Sequence, residues 1–504
     1  AHVGLGFGHC CQQHRCGPVG TSDSRARLRA GGGAADPFAI RGGRPGRPCS
    51  RRRPRRKMAG APLQLSGPLY DWSPDATDEP VSFDDLHQRV IHQRSGGFST
   101  ADIVQDGATP DGLFVKFEAE GLRRVRFSQD GLHFAFLCQR RFVGCADTLQ
   151  PSREPICMAL RWGRSEVEVL DLLWLPAATQ QPEHADLAVV TTHGIETFRL
   201  SFEQRVAKSL KAIPAGVRMC WTDPSSGMVL ACTGPRTLQP FDLQAKSPKM
   251  ARFDLVLARD QVIEALDVAV MTIYDSTYCI HADSTHGRVS LRNISNPLQG
   301  TPEHDIVIDV TGEEAFGGTL RLSSVDNLLI VHCIERMVSM VFDIRHKERS
   351  VVPSICGPCP IAHTLESEGE FSWAGWNCLN GSAIIDIHRR QVFRLTVDMG
   401  AVLQHFLVRS PHDLATVMRF LLRRANCREH IVQTLKRALM AKTHSDDWSA
   451  GFAVLNHAYR QTIEAVSQKG TSGLARQATV SLQEIESIIS QQSVLSEKDM
   501  VAQV

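Results

Sequence analysis

The stretch Ser324-Val-Asp-Asn-Leu-Leu-Ile-Val-His-Cys-Ile-Glu-Arg-Met-Val-Ser-Met-Val-Phe-Asp-Ile-Arg345 decides the fold class of this chain. It begins with an apolar run of strand length at residues 325–331. Polar Glu335-Arg336 follows, and a second apolar stretch covers residues 337–344. This pattern predicts two β-strands joined by a short turn.

Similar strand–turn–strand units recur along the chain, at 125–138, 185–200, 217–232, 267–291 and 371–397. Their starts lie roughly 40 to 60 residues apart, and a repeat of four short strands at about this spacing is typical of a β-propeller. One four-stranded sheet cannot cover its own two faces, whereas radial packing of several sheets buries them. We predict a mainly β protein with an N-terminal β-propeller of about seven blades over residues 63–400. A pair of β-sandwiches is the alternative fold.

After residue 400 the apolar period changes to that of helices. Ser410-Pro411 offers a capping residue and a proline at the first helical position. Apolar residues then recur at helical spacing in four groups: Leu414, Val417, Met418, Leu421, Leu422; Ile431, Leu435, Leu439; Phe452, Leu455, Tyr459, Ile463; and Leu482, Ile485, Ile488, Ile489. A break is expected at Lys469-Gly-Thr-Ser-Gly473. Residues 401–504 are therefore predicted to form an α-helical, solenoid-like segment.

Charge is distributed unevenly along the 504 residues. Residues 1–57 contain 13 of the 56 Lys and Arg residues but only 2 of the 54 Asp and Glu residues. The rest of the chain thus holds 43 basic and 52 acidic residues and is mildly acidic. An acidic body argues against a broad nucleic-acid-binding face, so we expect no nucleic-acid partner.

Residues 1–57 are rich in Gly, Arg and Pro and show no hydrophobic period. We interpret them as a disordered basic segment that is translated upstream sequence, with Met58 as the initiator. The alternatives are a basic arm that binds RNA or acidic lipid, and a transit peptide. The group His9, Cys10, Cys11, His14 and Cys16 fits no zinc spacing well.

Cysteine usage and hydropathy indicate the cellular compartment of the chain and its relation to membranes. The eleven cysteines after residue 57 are odd in number, irregularly spaced and often placed in apolar strand patterns. That usage argues against a disulfide framework and for an intracellular protein. No run reaches the roughly 18 apolar residues needed to span a bilayer, so membrane association is expected to be peripheral or to depend on a partner.

Cys356-Gly-Pro-Cys359 is the one local sequence that looks catalytic, because it matches a thioredoxin-type dithiol. No βαβ pattern surrounds it and Pro360 follows directly, so a loop between blades with two ordinary thiols is the favoured interpretation. A redox role and a zinc site that includes His363 are the alternatives. Phosphate-binding, zinc-protease, esterase and kinase motifs are absent from the sequence. We assign no catalytic, cofactor-binding or metal residue and expect no enzyme activity; the partner-binding residues stay unknown.

Other conspicuous side chains have structural interpretations. His193, His281 and His332 lie on or beside apolar strands and are expected to be core or turn histidines. Five tryptophans are expected to pack the wedges between sheets, with one or two as possible partner anchors: Trp162, Trp174, Trp221, Trp373 and Trp376. Four arginines fit a solvated helix face, or one that meets lipid headgroups or an acidic partner: Arg419, Arg423, Arg424 and Arg428.

An ordered set of short matches gives the chain a family resemblance. Among them are Val125-Arg-Phe-Ser128, His193-Gly-Ile-Glu-Thr-Phe198, Ala269-Val-Met-Thr-Ile-Tyr274 and Val341-Phe-Asp-Ile344, and in the helical part the segment that begins at Phe420-Leu-Leu-Arg-Arg424. They span residues 80 to 500 in consistent order. The chain resembles the Mic family, called Bulli in flies, the regulatory subunit of the Mon–Ccz guanine-nucleotide exchange complex.

The resemblance implies a propeller followed by a helical domain, without a cofactor. It further implies a non-catalytic scaffold that, with the Mon and Ccz subunits, supports activation of a late-endosomal Rab GTPase, endosome–lysosome trafficking and autophagy. The resemblance also implies a cytoplasmic location, with peripheral association with the membranes of late endosomes, lysosomes and autophagosomes. Family members continue beyond the region that matches Val504, so residues 401–504 are expected to be the truncated start of the Mic C-terminal domain. The alternatives are a vesicle coat or tethering subunit, and a thiol redox protein that uses Cys356 and Cys359.

Overall fold

A computed structural model describes residues 60–471 with short gaps, at 72–80, 85, 95, 103–113, 118–120, 152, 163–166, 177–183, 259–260, 297–304, 311–317, 347–350, 364–372, 379–380, 410–412 and 442–444. The predictions for residues 1–57 and for the helix around Leu482 fall outside the described residues.

The strands of the described residues form seven sheets, six of them built from four consecutive strands. The strand β1 (Leu63–Asp71) belongs to the last sheet. The next sixteen strands form blades 1 to 4, in chain order: β2 (Val81–Asp84), β3 (Arg89–Arg94), β4 (Gly97–Asp102), β5 (Phe114–Lys116); β6 (Leu122–Phe127), β7 (His133–Cys138), β8 (Phe142–Asp147), β9 (Ile156–Cys157); β10 (Val169–Trp174), β11 (His184–Thr191), β12 (Gly194–Ser201), β13 (Val206–Pro214); β14 (Met219–Asp223), β15 (Met228–Cys232), β16 (Thr237–Asp242), β17 (Phe253–Asp254). Blades 5 to 7 follow: β18 (Val268–Ile273), β19 (Ser276–Asp283), β20 (Arg288–Asn293), β21 (Ile306–Asp309); β22 (Leu320–Val325), β23 (Leu328–Cys333), β24 (Val338–Phe342), β25 (Ser354–Cys359); β26 (Ala362–His363), β27 (Trp376–Cys378), β28 (Ala383–Asp386), β29 (Gln391–Val397).

The ring closes because the first strand completes the last blade. In blade 7 the order is β27-β28-β29-β1, with β26 added in parallel on the outside of β1. β1 pairs antiparallel with β29, and Leu63 lies opposite Val397. The prediction of a seven-bladed propeller is therefore confirmed, and the alternative of two β-sandwiches is wrong.

Seven apolar clusters fill the spaces between neighbouring blades, one at each interface. Between blades 1 and 2, for example, Phe98 and Phe134 are fully buried with their ring centroids 5.1 Å apart. Between blades 7 and 1, Phe83 and Val90 pack with Val392. Both faces of every sheet are thus covered, which is the condition that the sequence pattern predicted.

The fold-deciding stretch contains one more turn than its pattern predicts. Asp326-Asn327 has positive φ angles of 49° and 60° and separates β22 from β23. Two successive left-handed residues are typical of the type I′ hairpin turn. The prediction of a single strand over 325–331 is therefore wrong, because Asp-Asn within an apolar run was not recognised as a turn. Tyr274-Asp275, with φ angles of 53° and 62°, makes the same turn in blade 5.

Four helices follow the propeller in the described residues: α1 (Met399–Arg409), α2 (Leu414–Leu422), α3 (Arg428–Met440) and α4 (Ser445–Thr471). α1 was not predicted. Asp413 caps α2, because its carboxylate accepts from Thr416 N at 2.8 Å, and the cap predicted at Ser410 lies outside the described residues. α4 ends at Thr471, within the break predicted at residues 469–473, of which 472 and 473 lie outside the described residues. None of the helices in the described part of the chain is both long and apolar enough to cross a membrane.

Candidate functional site: the junction between the helices and the propeller

The end of α2 is fixed to the propeller by a buried ion pair. Arg424, two residues beyond α2, donates through Nη2 to Asp343 Oδ2 at 2.6 Å, and both side chains are fully buried. Asp343 directly follows β24 in blade 6. Removing either partner of such a pair would leave an uncompensated buried charge, which is strongly destabilising.

Asp343 lies at a position where several other blades also have an Asp or Asn that closes a turn. Its Oδ1 accepts from Arg345 N at 2.9 Å and so closes the turn after the third strand. Asp147, Asp242 and Asn293 make the same bond, to the residue two positions on, at the ends of the third strands of blades 2, 4 and 5. This use of Asp and Asn is a common turn device. In blade 6 the second carboxylate oxygen is used for the helix.

Two further turns converge on the same point. The hydroxyl of Tyr274, in the blade 5 turn, donates to Asp343 Oδ1 at 2.8 Å. The same hydroxyl accepts a hydrogen bond from Arg424 Nη2. Arg424 donates in addition to the carbonyl oxygen of Asp326, whose carboxylate accepts from Ala425 N at 3.0 Å. Tyr274 N donates to Asn327 Oδ1 at 2.7 Å and joins the turns of blades 5 and 6. Burial raises the pKa of Tyr274, so its hydroxyl remains protonated as a donor.

Apolar contacts surround this polar centre. Residues of α1 and α2 share one cluster with blades 6 and 7, and α1 contacts β25. Phe406 of α1 stacks on Phe420 of α2 with centroids 5.1 Å apart. The ring of His346, just beyond β24, meets the edge of Phe406 at 5.2 Å. Packing and hydrogen bonds together make propeller and helices one continuous platform.

The arginine group is only partly the solvated face that was predicted. Arg419 is exposed, whereas Arg424 is 3% exposed and lies in the junction. Arg423 is half-buried, with Nη1 3.4 Å from Asp343. The prediction is wrong for Arg424, because the partner that buries it lies 81 residues away in the sequence. Tyr274, Asp326 and Asp343 were not singled out by the sequence reasoning at all.

The Cys356–Cys359 pair lies in a strand, so the predicted loop between blades is wrong. Both cysteines belong to β25, the outermost strand of blade 6, and both are buried. Cys356 donates to Cys359, with the sulfur atoms 3.9 Å apart. His363, the third residue of the alternative zinc site, belongs to β26. Across the described ranges, no cluster of three or more His, Cys, Asp or Glu residues is arranged to hold a metal ion.

The histidines behave as core and turn residues, as predicted. His332 is fully buried on β23, with Nδ1 2.8 Å from Ser339 Oγ and Nε2 3.0 Å from Ser323 Oγ. Burial lowers the pKa of His332 to about 3, so the ring is neutral. Burial also lowers the pKa of His281. His193 lies exposed in the turn between β11 and β12.

Three of the predicted wedge tryptophans are deeply buried. Trp373 and Trp376 stack with centroids 4.4 Å apart, and the ring of His332 meets both edge-on. Trp174 of blade 3 donates Nε1 to Arg126 O of blade 2 at 2.8 Å. Trp221 and Trp162 are only half-buried, and Trp221 donates to Ala265 O at 3.0 Å.

The curated proteins that are similar to this chain include two named "Regulator of MON1-CCZ1 complex". The mouse (Mus musculus) protein is 22% identical over 460 residues, which cover 84% of this chain and 67% of the relative. The human (Homo sapiens) protein is 22% identical over 424 residues, which cover 76% of this chain and 61% of the relative. No protein-family model matches the chain.

Two solved structures are similar over a large part of the chain. BamB from Moraxella catarrhalis is 10% identical with a TM-score of 0.35 and is matched over 63% of this chain and 83% of its own. Hsv2 from Kluyvelomyces marxianus is 14% identical with a TM-score of 0.40 and is matched over 64% and 98%. The curated relatives confirm the resemblance expected from the sequence: this chain is similar to the regulators of the MON1-CCZ1 complex over most of its length.

Proposed function

We propose that this chain is a non-catalytic scaffold and regulatory subunit of a Mon–Ccz guanine-nucleotide exchange complex. The observation that carries the proposal is the similarity to two regulators of the MON1-CCZ1 complex over 84% and 76% of the chain. The chain spans less than two thirds of the human relative. The proposal therefore concerns the propeller and the helices that follow it.

The junction supports a scaffolding role. A subunit that positions other polypeptides must keep its own parts in fixed geometry, and a buried ion pair supplies directional constraints that apolar packing alone does not. Arg424 is bound to three different blade turns, through Tyr274, Asp326 and Asp343. A partner that contacts both propeller and helices would meet a preformed surface, which lowers the ordering cost of binding.

The proposal includes the cellular context that the family resemblance implies. The exchange chemistry belongs to the Mon and Ccz subunits, and their substrate is a late-endosomal Rab GTPase. This chain then acts on the cytoplasmic surface of late endosomes, lysosomes and autophagosomes, and it reaches the membrane through the complex. Endosome–lysosome trafficking and autophagy are the processes it would support.

Affinity purification of the full chain tests the proposal. We expect the Mon and Ccz counterparts of the same organism to be recovered together, in stoichiometric amounts after size exclusion. Recovery of vesicle-coat or tether subunits in their place would refute it. In a nucleotide-exchange assay on the late-endosomal Rab, the chain alone should have no activity, and any activity of the isolated chain would contradict the non-catalytic role.

A variant pair tests the part that the junction plays. Arg424→Ala removes the buried partner of Asp343, whereas Arg419→Ala changes an exposed residue on the preceding turn of α2. We expect recovery of Mon and Ccz to fall with Arg424→Ala and to be unchanged with Arg419→Ala. Circular dichroism of both variants separates a loosened junction from global unfolding. Equal recovery by a folded Arg424→Ala variant would exclude the junction from partner binding.

A further inference from the structure

The outermost strand of blade 6 is irregular at the two cysteines. Ser339 and Val341 of β24 are two residues apart and lie opposite Cys359 and Cys356, which are three residues apart. One extra residue on one strand is a β-bulge. In a regular strand, side chains three apart point to opposite faces. The bulge instead puts both thiols on one side of the sheet, where Cys356 and Cys359 belong to the same buried cluster.

Gly357 makes this arrangement possible. Its φ angle is +123°, in a region that residues with a side chain rarely adopt. A Cβ there would lie 2.7 Å from Ser339 O and 2.9 Å from Met340 Cα. Glycine is thus required both for the turn of the backbone and for its close approach to β24. The two sulfur atoms are brought to 3.9 Å as a result.

The same backbone device occurs in blade 7 without thiols. Ser66-Gly-Pro-Leu69 lies in β1, its pairing with β29 shifts after Ser66, and the φ of Gly67 is +124°. The bulge is therefore a feature that two neighbouring blades share. Of these two blades, only blade 6 has cysteines on both sides of the Gly-Pro pair; blade 7 has Ser66 and Leu69 there.

From this geometry we propose that Cys356 and Cys359 are a peroxide-oxidisable dithiol that closes reversibly to an intramolecular disulfide. A disulfide has sulfur atoms about 2.05 Å apart, so closure needs a movement of roughly 1.9 Å between two groups already in contact. Both flanking residues are on one strand, so the movement requires no rearrangement between blades. This inference does not rest on the proposed function.

Cys359 is the sulfur that reacts first. The hydrogen bond from Cys356 lowers the pKa of Cys359, whereas burial raises the pKa of Cys279 to about 12. Cys359 is also the less buried of the pair, at 6% exposure against 1%.

The reaction balances in two steps. The Cys359 thiolate attacks one peroxide oxygen, the O–O bond breaks, and the hydroxide released takes a proton to leave as water. The Cys359 sulfenic acid is then attacked by the Cys356 sulfur, which gives up its proton; the S–S bond forms, the S–O bond breaks and a second water leaves. Two thiols lose two electrons, and one peroxide becomes two waters. A dithiol reductant reverses the change.

Mass spectrometry of the full-length chain tests the inference. After treatment with hydrogen peroxide, the protein is denatured, alkylated and digested with trypsin. The peptide of residues 350–389 contains Cys356, Cys359 and a third cysteine, Cys378, which serves as the internal standard. We expect this peptide to lose two hydrogens and two alkyl groups while Cys378 stays alkylated. Dithiothreitol should restore all three alkylation sites.

Two outcomes overturn the inference. One is full alkylation of Cys356 and Cys359 at a peroxide concentration that already oxidises the exposed Cys157; the other is a disulfide between either residue and any other cysteine. The variant Cys356→Ser should stop the reaction at a sulfenic acid on Cys359, which dimedone traps. If this variant fails to fold, the mass change of the unaltered chain still decides the question.

Discussion

Arg424 and Asp343 form a fully buried ion pair at 2.6 Å across 81 residues of sequence, and this pair joins the helical segment to the propeller. Asp343 also closes the turn of its own blade, because its Oδ1 accepts from Arg345 N. The docking of the helices thus uses a carboxylate that the repeat places at the same point in several blades. Its energetic weight can be measured.

Removal of the arginine should destabilise the protein strongly. We expect Arg424→Ala to lower the free energy of unfolding by about 3–5 kcal/mol, because Asp343 and the Tyr274 hydroxyl would remain buried without their cation. Arg419→Ala is the matched control and should stay within about 0.5 kcal/mol of the unaltered chain. Urea unfolding followed by tryptophan fluorescence measures both. Equal midpoints for the two variants would mean that the ion pair contributes no net stability.

The hairpin turn of blade 6 should discriminate between glycine and alanine. Asn327 has a φ of 60°, and its Oδ1 accepts from Tyr274 N at 2.7 Å. Asn327→Gly loses the acceptor but keeps a backbone suited to the turn, whereas Asn327→Ala loses both. Alanine should be the less stable of the two by about 1 kcal/mol, since a left-handed conformation is unfavourable for residues with a Cβ. Thermal unfolding of the two variants is the measurement, and an alanine variant as stable as the glycine variant would refute the turn assignment.

Stability should fall in acid because of His332. The pKa of this buried imidazole is about 3 in the folded protein, against an ordinary value of 6.5. Between about pH 6.5 and pH 3 the unfolded chain therefore binds a proton that the folded chain does not. The contribution of His332 is fully present above pH 6.5 and is lost at roughly 1.4 kcal/mol per pH unit below it.

The variant His332→Gln isolates this effect, because glutamine can hydrogen-bond to Ser323 and Ser339 without titrating in this range. Urea unfolding from pH 7 to pH 4.5 measures the free energy of unfolding of both proteins. As the pH falls, the unaltered chain should lose stability relative to the variant. A constant difference across that range would show that His332 takes up its proton equally in both states.

Gly357 should not tolerate even a methyl group. Gly357→Ala meets the close contact with Ser339 O and an unfavourable φ, and it should cost more than about 1 kcal/mol. Gly216→Ala is the control, because a Cβ there meets nothing within 4 Å. Differential scanning fluorimetry compares the two. A neutral Gly357→Ala would argue against the bulge in β25.

The sequence predicts the ring well, because the units repeat strand-length apolar runs separated by turn residues, and the burial of Trp373 was expected because a large ring fills the wedge between sheets. Local features that depend on one or two residues were less predictable. Asp326-Asn327 was hidden inside an apolar run, and Gly357-Pro358 suggests a loop although the structure uses it as a bulge within a strand.

The junction could not have been predicted from local pattern. Arg424 follows an amphipathic helix at a position that resembles a solvated face, and only contacts with residues 81 and 150 positions earlier make it a buried group. Asp343 and Tyr274 likewise belong to ordinary blade turns. Their contacts with Arg424 depend on which blade turns are neighbours in the ring, and only the tertiary structure shows this.

The pairing of β1 with β29 has a consequence for synthesis. Gln64 and Asp398 are 334 residues apart and lie within hydrogen-bonding distance at the closure. A ribosome must therefore deliver the entire intervening chain before blade 7 can be completed, and until then Leu63 and Leu65 lack their antiparallel partner strand β29. Such late, long-range pairing is slow and leaves apolar strand edges open to aggregation. Newly made chains should depend on chaperones until the ring is shut.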